Sequence, residues 1–412
     1  MEKGAWERFI GNIGEGALAR LRNRLREVNF DIQTKGICEY KKGNNHAVRL
    51  FTGYSYNEFY DWDLYFDNIY LSYYGIYKYN RKNAEAFLDN QLECGFVART
   101  LKEPRQRQHF KPFLAQVCLM GSHQSGSFAW LYGKYYTALQ KYLDYWFWFC
   151  DFDKNGLAVW DSADHSGMDN QDLRAGKYGA MEMEGVDLNC YLHRELMAMA
   201  VISENLGLPD NAEQYRNHAG ALAERINDTL WDEEDAFYYD RNERKSAFAP
   251  YQSIAGFTPL WAGIAPKGRA AKIVKEHLTN PKEFWLPYPI ATWRRDQPGY
   301  YQQTKGDECN WMGAVWAPTN YMVFQGLRKY GYNDIARELA YQTFDMVLSE
   351  ETTREYYNGE TGVGQGLNPF WGWSALAYFM PLEYETGYDP TDMNRHELIK
   401  LGCDYFGLSL DL

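Results

Sequence analysis

Residues 156–174 read GLAVWDSADHSGMDNQDLR, a stretch with four aspartates in which Asp169 is followed by Asn170. The Ser-Gly and Asp-Asn pairs predict a loop, because glycine and asparagine tolerate turn geometries that most side chains avoid. Together with Trp160, this loop carries an acid, an amide and an aromatic ring, which are groups that a sugar pocket needs. Taken alone, an acidic loop of this kind is more often a solvated connector.

A second stretch, residues 354–375, reads REYYNGETGVGQGLNPFWGWSA. Its presence favours a functional role for the acidic loop over a solvated connector. In it, Glu355 precedes a Tyr-Tyr-Asn-Gly turn, a glycine-rich loop and an aromatic run that includes Trp373. Alone, it fits a polar turn that leads into a core helix. Hydrolysis of a glycosidic bond, however, needs one acid to protonate the leaving oxygen and one base to activate water, and two carboxyl groups supply both. Because Asp169 and Glu355 are 186 positions apart, only a closed fold brings them to one pocket.

The periodicity of apolar residues predicts an all-α fold. About a dozen helices of roughly 10 to 20 residues follow one another in antiparallel pairs with short turns, as at 186–206 and 209–230. No strand–helix alternation predicts a parallel sheet, and no linker rich in Gly-Ser or Pro divides the chain. We therefore expect residues 1–412 to form a single domain. A toroid of six helix pairs, the (α/α)6 barrel, fits the count, with small β-hairpins on its rims, such as one at 231–240. A helical solenoid fits the periodicity as well, and a short terminal helix is predicted at 393–401.

Four segments carry a resemblance to a known family. They are SGMDN around Asp169, EYYNGETG around Glu355, EFYDWDLYFD with Trp62 and Asp63, and NWMGAVWAPTNYMV with Trp311 and Trp316. In order and rough spacing, all four resemble glycoside hydrolase family 63. That family is related to the trehalases and includes processing α-glucosidases and the mannosylglycerate and glucosylglycerate hydrolases. The resemblance spans about residues 50 to 385 and implies the (α/α)6 barrel.

The resemblance also implies chemistry. Asp169 corresponds to the general acid and Glu355 to the general base of an inverting, exo-acting α-glycosidase, which we expect to cleave a short α-glucoside or α-mannoside. We expect the substrate to be bound by ten further residues: Tyr56, Trp62, Asp63, Lys111, Gln116, Trp160, Asn170, Trp311, Trp316 and Trp373.

The chain departs from the family at one motif. The usual W-R-G-P reads Trp311-Met312-Gly313-Ala314 here, and an Arg to Met change removes five hydrogen-bond donors and a charge. Arg294 and Arg295 lie on a long predicted loop, 284–308, and could bind a carboxylate aglycone such as glycerate in its place. A solvated pair of loop arginines fits that pattern equally well.

Bulk composition excludes several classes of partner. The net charge of −12 and the lack of a basic patch argue against nucleic acid as a partner. The polar N-terminus and the lack of a long apolar window predict neither a signal peptide nor a membrane span. The seven cysteines are odd in number and scattered, and no His or Cys cluster has ligand spacing, so we predict a cytoplasmic protein without metal or cofactor. An oligomer is possible but not indicated.

Two alternatives remain open. Helical-barrel epimerases use paired histidines as acid and base, and His165 lies in the central loop. A catalytically inactive sugar-binding protein would retain the aromatic cleft. The 34 Tyr, 22 Phe and 14 Trp fit either a sugar-binding cavity or a Tyr-rich core.

Overall fold

The structure is a computed structural model that describes residues 3–42, 47–53, 58–102, 108–304, 308–395 and 397–412. It is mostly helical. The α-helices are α1 (Lys3–Lys35), α2 (Asp61–Ser72), α3 (Lys78–Asp89), α4 (Leu114–Ser125), α5 (Lys134–Phe149), α6 (Ala163–Ser166), α7 (Asp172–Ala175), α8 (Val186–Asn205), α9 (Pro209–Thr229), α10 (Thr258–Ala262), α11 (Lys267–Ile273), α12 (Ala317–Lys329), α13 (Asn333–Ser349), α14 (Trp371–Ser374), α15 (Met380–Thr386) and α16 (Leu401–Phe406).

Short antiparallel strands accompany the helices. They are β1 (Ile37–Tyr40), β2 (Val48–Phe51), β3 (Val159–Trp160), β4 (Met183–Glu184), β5 (Trp231–Asp232), β6 (Phe237–Tyr238), β7 (Arg241–Asn242), β8 (Ala247–Phe248), β9 (Tyr356–Tyr357) and β10 (Gly364–Gln365). Strand pairs β1–β2, β5–β6 and β9–β10 form separate two-stranded sheets, and the hairpin predicted at 231–240 is confirmed. The remaining strands form one four-stranded sheet in the order β3-β4-β7-β8, which is larger than the predicted hairpins.

Sequence periodicity explains how the paired helices are layered. Helix α8 is apolar around most of its circumference and is buried along almost its whole length. Its partner α9 buries only Ala212, Ala219, Leu222 and Ile226, a single stripe at helical spacing. The pair α12–α13 repeats this division between an inner and an outer helix. Helix α8 also packs against α4 and α10, so the inner helices share one core.

The predicted helix at 393–401 is wrong. The described residues there are irregular, and the helix begins only at Leu401. The side chain of Asp389 accepts a hydrogen bond from the Thr391 backbone, and that of Asp392 accepts one from the Asn394 backbone. Such local turns offer the backbone an alternative to helical hydrogen bonding.

Long-range backbone contacts place the two carboxylate loops. Asp169 follows β3 and lies between α6 and α7, while Glu355 immediately precedes β9. Residue Val315 exchanges both backbone hydrogen bonds with Tyr357, at 2.8 and 2.9 Å, which ties the Trp311 segment to the Glu355 loop. None of the described helices combines the length and the apolar character that crossing a bilayer requires.

Candidate active site

The turn before Asp169 is fixed by its own side chains. Ser162 caps the short helix α6 by accepting a hydrogen bond from the His165 backbone. Gly167 ends that helix with a φ of 86°, and a β-carbon there would lie 2.7 Å from the indole of Trp62. Only glycine suits this combination of backbone angle and close approach. The turn is therefore held directly against Trp62.

The residues after Asp169 anchor the loop to the Trp311 segment. The Asn170 side-chain oxygen accepts from the Trp311 backbone N–H at 3.0 Å, and its amide nitrogen donates to the Tyr301 hydroxyl at 3.0 Å. Gln171 is fully buried and donates to the Trp311 carbonyl at 2.6 Å. Asn170 was expected to bind substrate; in the structure both ends of its amide bind neighbouring segments and hold the loop in place.

Glu355 is held by the glycine-rich loop that follows it. The Leu367 backbone N–H donates to Glu355 Oε2 at 2.9 Å, and the Trp373 indole N–H donates to the Glu355 carbonyl at 2.9 Å. A β-carbon at Gly366 would lie 2.5 Å from Glu355 Oε2. The loop backbone therefore approaches the carboxylate as closely as glycine permits, which explains why this loop is glycine-rich.

A cysteine connects the two carboxyl groups. The thiol of Cys309 donates to Glu355 Oε1 at 3.7 Å. Burial, then the charges of Glu355 and Asp169 and hydrogen bonding to both, raise the pKa of this thiol. The charge of Glu355 also raises the pKa of Asp169. The fold has therefore brought Asp169 and Glu355, 186 positions apart in the chain, into one cluster around Cys309.

The environments of the two carboxyl groups differ. Asp169 keeps part of its surface exposed, but burial of the carboxyl raises its pKa to about 7, helped by the charges of Asp164 and Glu355 and opposed by Arg99 and Lys111. Burial also raises the pKa of Glu355, which is 8% exposed. The backbone N–H of Leu367 and the thiol of Cys309 oppose that rise, because both donate to its charged form.

Sequence reasoning missed three residues of this cluster. Arg99 is buried and binds Asp164 Oδ2 at 3.0 Å, 65 positions along the chain. Asp61 forms a fully buried ion pair with Lys111 at 2.9 Å. Cys309 directly precedes the segment with Trp311, and that adjacency was the only signal for it. Asp61 directly precedes Trp62 in the EFYDWDLYFD segment, and that adjacency was its only signal. Arg99 carried no sequence signal, because its role depends on contacts between distant loops.

The structure corrects three of the expected substrate contacts. Lys111 is fully buried against Asp61, with its ammonium 5.4 Å from the Trp62 ring centre, so it supports Trp62 from behind. Trp160 is fully buried and donates its indole N–H to Asp187 at 2.8 Å, so it belongs to the core. The amide of Gln116 is bound within a separate buried network, where it donates to Glu195 at 3.2 Å and accepts from Arg194 at 2.9 Å.

Four of the expected tryptophans contact one another. Trp311 stacks on Trp316 with ring centres 3.7 Å apart, and Trp62 lies 5.7 Å from Trp311 and 6.0 Å from Trp373. Asp63 is buried next to Trp62, and its charge contributes after burial to the raised pKa of Asp67. The remaining expected residue, Tyr56, lies outside the described residues.

A cavity of about 330 Å³ adjoins Glu355 and Tyr356, and Glu308, Gln365 and Leu367 also line it. A larger cavity, about 1160 Å³, is lined by other residues, among them Arg194, Arg328 and Lys329. Size alone would favour the larger one. We place the candidate active site at the smaller cavity, because Glu355, a carboxylate with a raised pKa that clusters with Asp169, lines its wall.

The two loop arginines are already paired. Arg294 binds the carboxylate of Asp296 and, at 3.4 Å, that of Glu283. Arg295 binds Glu360 at 3.0 Å. A carboxylate aglycone would therefore compete with these acidic side chains for either arginine.

The central histidines are held by backbone. His165 Nε2 lies 2.6 Å from the His109 carbonyl oxygen, and the His109 ring contacts the backbone of Val97 and Tyr142. Burial lowers the pKa of both rings, that of His109 to about 3. Both imidazoles are therefore structural, which disfavours a pair of catalytic histidines at this loop.

Comparison with known proteins identifies the class: the chain is a glycoside hydrolase domain. Within that class, it belongs to the mannosylglycerate hydrolase MGH1-like glycoside hydrolase domain family, whose model matches residues 56–374.

Two curated relatives show the range of the similarity. The chain is 31% identical to the mannosylglycerate hydrolase of Thermus thermophilus over 191 residues, 45% of this chain and 42% of that protein. It is 30% identical to the cytosolic neutral trehalase of Kluyveromyces lactis over 167 residues, 38% of this chain and 22% of that protein. These matches span less than half the length of either relative.

Solved structures share the fold over a longer range. A GH63 mannosylglycerate hydrolase from Thermus thermophilus, in complex with Tris and D-glycerate, superposes with a TM-score of 0.67 at 18% identity. That match covers 86% of this chain and 99% of the other. Neutral trehalase from Saccharomyces cerevisiae gives a TM-score of 0.64 at 19% identity, with 87% and 79% covered.

Proposed function

We propose that the chain is an inverting, exo-acting α-glycosidase that hydrolyses a short α-glucoside or α-mannoside. Asp169 is the general acid and Glu355 the general base. The observation that carries this proposal is the cluster in which both carboxyl groups act on Cys309, with the pKa of Asp169 raised to about 7. A carboxyl group with that pKa still holds its proton near neutral pH, as a general acid must.

In the proposed reaction, Asp169 gives its proton to the glycosidic oxygen as the bond to the anomeric carbon breaks. Glu355 takes a proton from a water molecule, whose oxygen attacks the anomeric carbon from the opposite face. The free sugar therefore has the inverted configuration. This geometry needs carboxyl groups about 6.5–9.5 Å apart, which leaves room for the water between them. The thiol of Cys309 helps to keep Glu355 ionised by donating to Oε1.

The inner and outer helices support a single (α/α)6-barrel domain, and the fold shared with the GH63 and trehalase structures supports it further. Within that barrel, the loops of Asp169 and Glu355 share one rim. Trp62, Trp311, Trp316 and Trp373, each at most 5% exposed, pack against one another behind these loops and hold them in place. A cavity of about 330 Å³ is at the small end of the range for ligand pockets, which favours a short substrate.

The relatives' names supply the first substrates to test. One is named a mannosylglycerate hydrolase and another a cytosolic neutral trehalase, so mannosylglycerate and trehalose are the leading candidates. For an acidic aglycone, Arg295 is the better of the two loop arginines, since Arg294 already lies between two carboxylates. A cytoplasmic location is part of the proposal, and the partner is a small carbohydrate rather than nucleic acid or a membrane.

The decisive experiment incubates the protein with a panel of α-linked disaccharides, mannosylglycerate, glucosylglycerate and trehalose. NMR spectra recorded from the first minutes show whether the substrate is hydrolysed and which anomer of the sugar forms first. We expect hydrolysis of at least one substrate, with the first-formed sugar in the inverted configuration. Asp169→Asn is the inactive control, and Asp172→Asn, at the exposed first residue of α7, is the active one. Retention of configuration, or epimerisation without hydrolysis, would overturn the proposal. Binding without any turnover would favour an inactive sugar-binding protein.

A further inference from the structure

A group of acidic side chains lies on the loop before β3 and on the two neighbouring strands. Asp151, Asp153, Asn155 and Gly156 follow the order D-x-D-x-N-G. Carboxylate oxygens of Asp153, Glu184 and Glu243 all lie within 4.8 Å of one another. Glu184 belongs to β4, and Glu243 directly follows β7. Three separate pieces of chain therefore present oxygen atoms to one point.

Two of these carboxylates are buried, and one oxygen of each accepts no hydrogen bond within the described residues. Oε2 of Glu243 and Oδ1 of Asp151 have no hydrogen-bond partner among the described residues, although the two residues are only 9% and 6% exposed. Burying an unpaired carboxylate is strongly unfavourable, so buried charges in proteins are paired or coordinate a metal.

Nearby groups offset only part of this negative charge. The Asn155 amide donates to Asp153 Oδ2 at 3.0 Å and to Glu184 Oε1. Arg241 binds Glu184 Oε2 at 2.8 Å, on the side of a single carboxylate. Arg244 is paired with Glu182 at 3.8 Å, and the Lys154 ammonium donates to the Trp148 carbonyl at 2.9 Å. Four carboxylates thus face one direct ion pair within the described residues.

We propose that Asp151, Asp153, Glu184 and Glu243 bind a calcium ion. An all-oxygen set of carboxylates fits a hard cation and not zinc, which prefers nitrogen and sulfur ligands in closed structural sites. The D-x-D-x-N-G order matches the first six positions of a calcium-binding loop, in which the glycine makes the sharp turn. The twelfth position, a glutamate in that loop, is Ser162 here, and Glu184 and Glu243 supply carboxylates from outside the loop instead. Gly156 has that role here, with a φ of 91°. This proposal departs from the sequence-based prediction of a protein without metal.

The ion has a structural role. It joins the loop before β3 to β4 and to the end of β7, and these strands are neighbours in the four-stranded sheet. Strand β3 leads directly into the loop that carries Asp169. The bound ion therefore holds the sheet that supports the acid loop and takes no part in bond cleavage.

The test uses the full chain, stripped with chelator and then freed of chelator. Calcium is titrated by calorimetry, and Tb³⁺ is titrated by luminescence sensitised through nearby tryptophan. We expect one calcium ion per chain and, at about 100 times the dissociation constant, a rise in melting temperature of roughly 3–5 °C. Mg²⁺ at the same concentration should give a smaller rise, because it demands a stricter geometry than this three-segment site offers.

The variant Glu243→Gln makes the test specific. It removes one of the converging charges, so we expect at least a tenfold loss of calcium affinity. Without calcium, the same variant should melt at or above the wild-type temperature, because like charges no longer repel; with calcium, the order should reverse. Glu234→Gln, at an exposed position of the β5–β6 turn, is the matched control and should keep the wild-type response.

If Glu243→Gln does not fold, Asp153→Asn changes an exposed member of the same set and should lose affinity equally. An unchanged calcium response in either folded variant would overturn the proposal. Absence of one-to-one calcium binding up to millimolar concentration would do the same, and so would an equal response to Mg²⁺.

Discussion

Asp169→Asn should inactivate the enzyme and at the same time stabilise its fold at alkaline pH. Burial raises the pKa of the Asp169 carboxyl from 3.8 to about 7. In the unfolded chain the group ionises at the lower value. The folded state therefore binds the proton more tightly, and its stability, complete below pH 3.8, decreases as the pH rises toward 7.

The size of this effect follows from the shift. At about 1.36 kcal/mol per pKa unit, the ionised carboxyl lowers the free energy of unfolding by about 4 kcal/mol at pH 8 and by about 1.6 kcal/mol at pH 5. Asparagine has nearly the same shape and no charge, so the advantage of Asp169→Asn over wild type should grow by about 2.5 kcal/mol between these pH values.

Chemical denaturation at pH 5 and pH 8 measures the difference, and activity assays on the same preparations complete the test. We expect a loss of about 10²–10⁴ in rate on the natural glycoside, but a much smaller loss on a glycosyl fluoride, whose leaving group needs little proton assistance. The two measurements together would refute the reasoning if Asp169→Asn were equally destabilised at pH 5 and pH 8 and equally inactive on both substrates. Its inactivity would then come from misfolding.

Four further predictions concern the same site. Glu355→Gln should remain impaired on both the glycoside and the fluoride, because water must be deprotonated whatever departs; rescue by the fluoride would reverse the two roles. For the wild-type enzyme, kcat/KM should fall about tenfold per pH unit above pH 7 as Asp169 ionises, and a profile that is flat to pH 9 would contradict that pKa. Cys309→Ala should move the acidic limb of the kcat/KM profile to higher pH, because it removes a hydrogen-bond donor to Glu355. Cys309→Ser should restore the wild-type limb, and identical limbs in the two variants would exclude the thiol from the mechanism. Replacing Arg294 and Arg295 together by Ala should lower the ratio of rates on acidic over neutral aglycones, and an unchanged ratio would exclude both from the aglycone site.

The sequence was informative where a local pattern determines the structure. Periodicity located α8 and α9, and the two acidic motifs singled out Asp169 and Glu355 as candidates through a family resemblance. It was misleading where a side chain's direction depends on tertiary packing. Trp160 and Gln116 lie in polar or aromatic contexts typical of a sugar site, yet Asp187 and Glu195 bind them inside the core.

Clusters of side chains from distant parts of the chain could not be predicted from the sequence. Arg99 meets Asp164 across 65 positions, and the acidic set around Glu243 gathers from three segments. The D-x-D-x-N-G order at 151–156 is visible in the sequence, but no pattern within one stretch shows that Glu184 and Glu243 join it or that Asp164 meets Arg99, because each of these residues alone resembles an ordinary surface charge.

The distance in sequence between the two carboxylate loops also has a consequence for the order of folding. Contacts such as that between Asn170 and Trp311, 141 positions apart, form only after a long segment has been enclosed, and contacts of this kind slow folding. A nascent or truncated chain that ends before residue 355 contains the proposed acid, Asp169, without the proposed base, Glu355. Catalysis therefore reports on completion of the whole polypeptide, and recovery of activity after dilution from denaturant should lag behind recovery of helical circular dichroism.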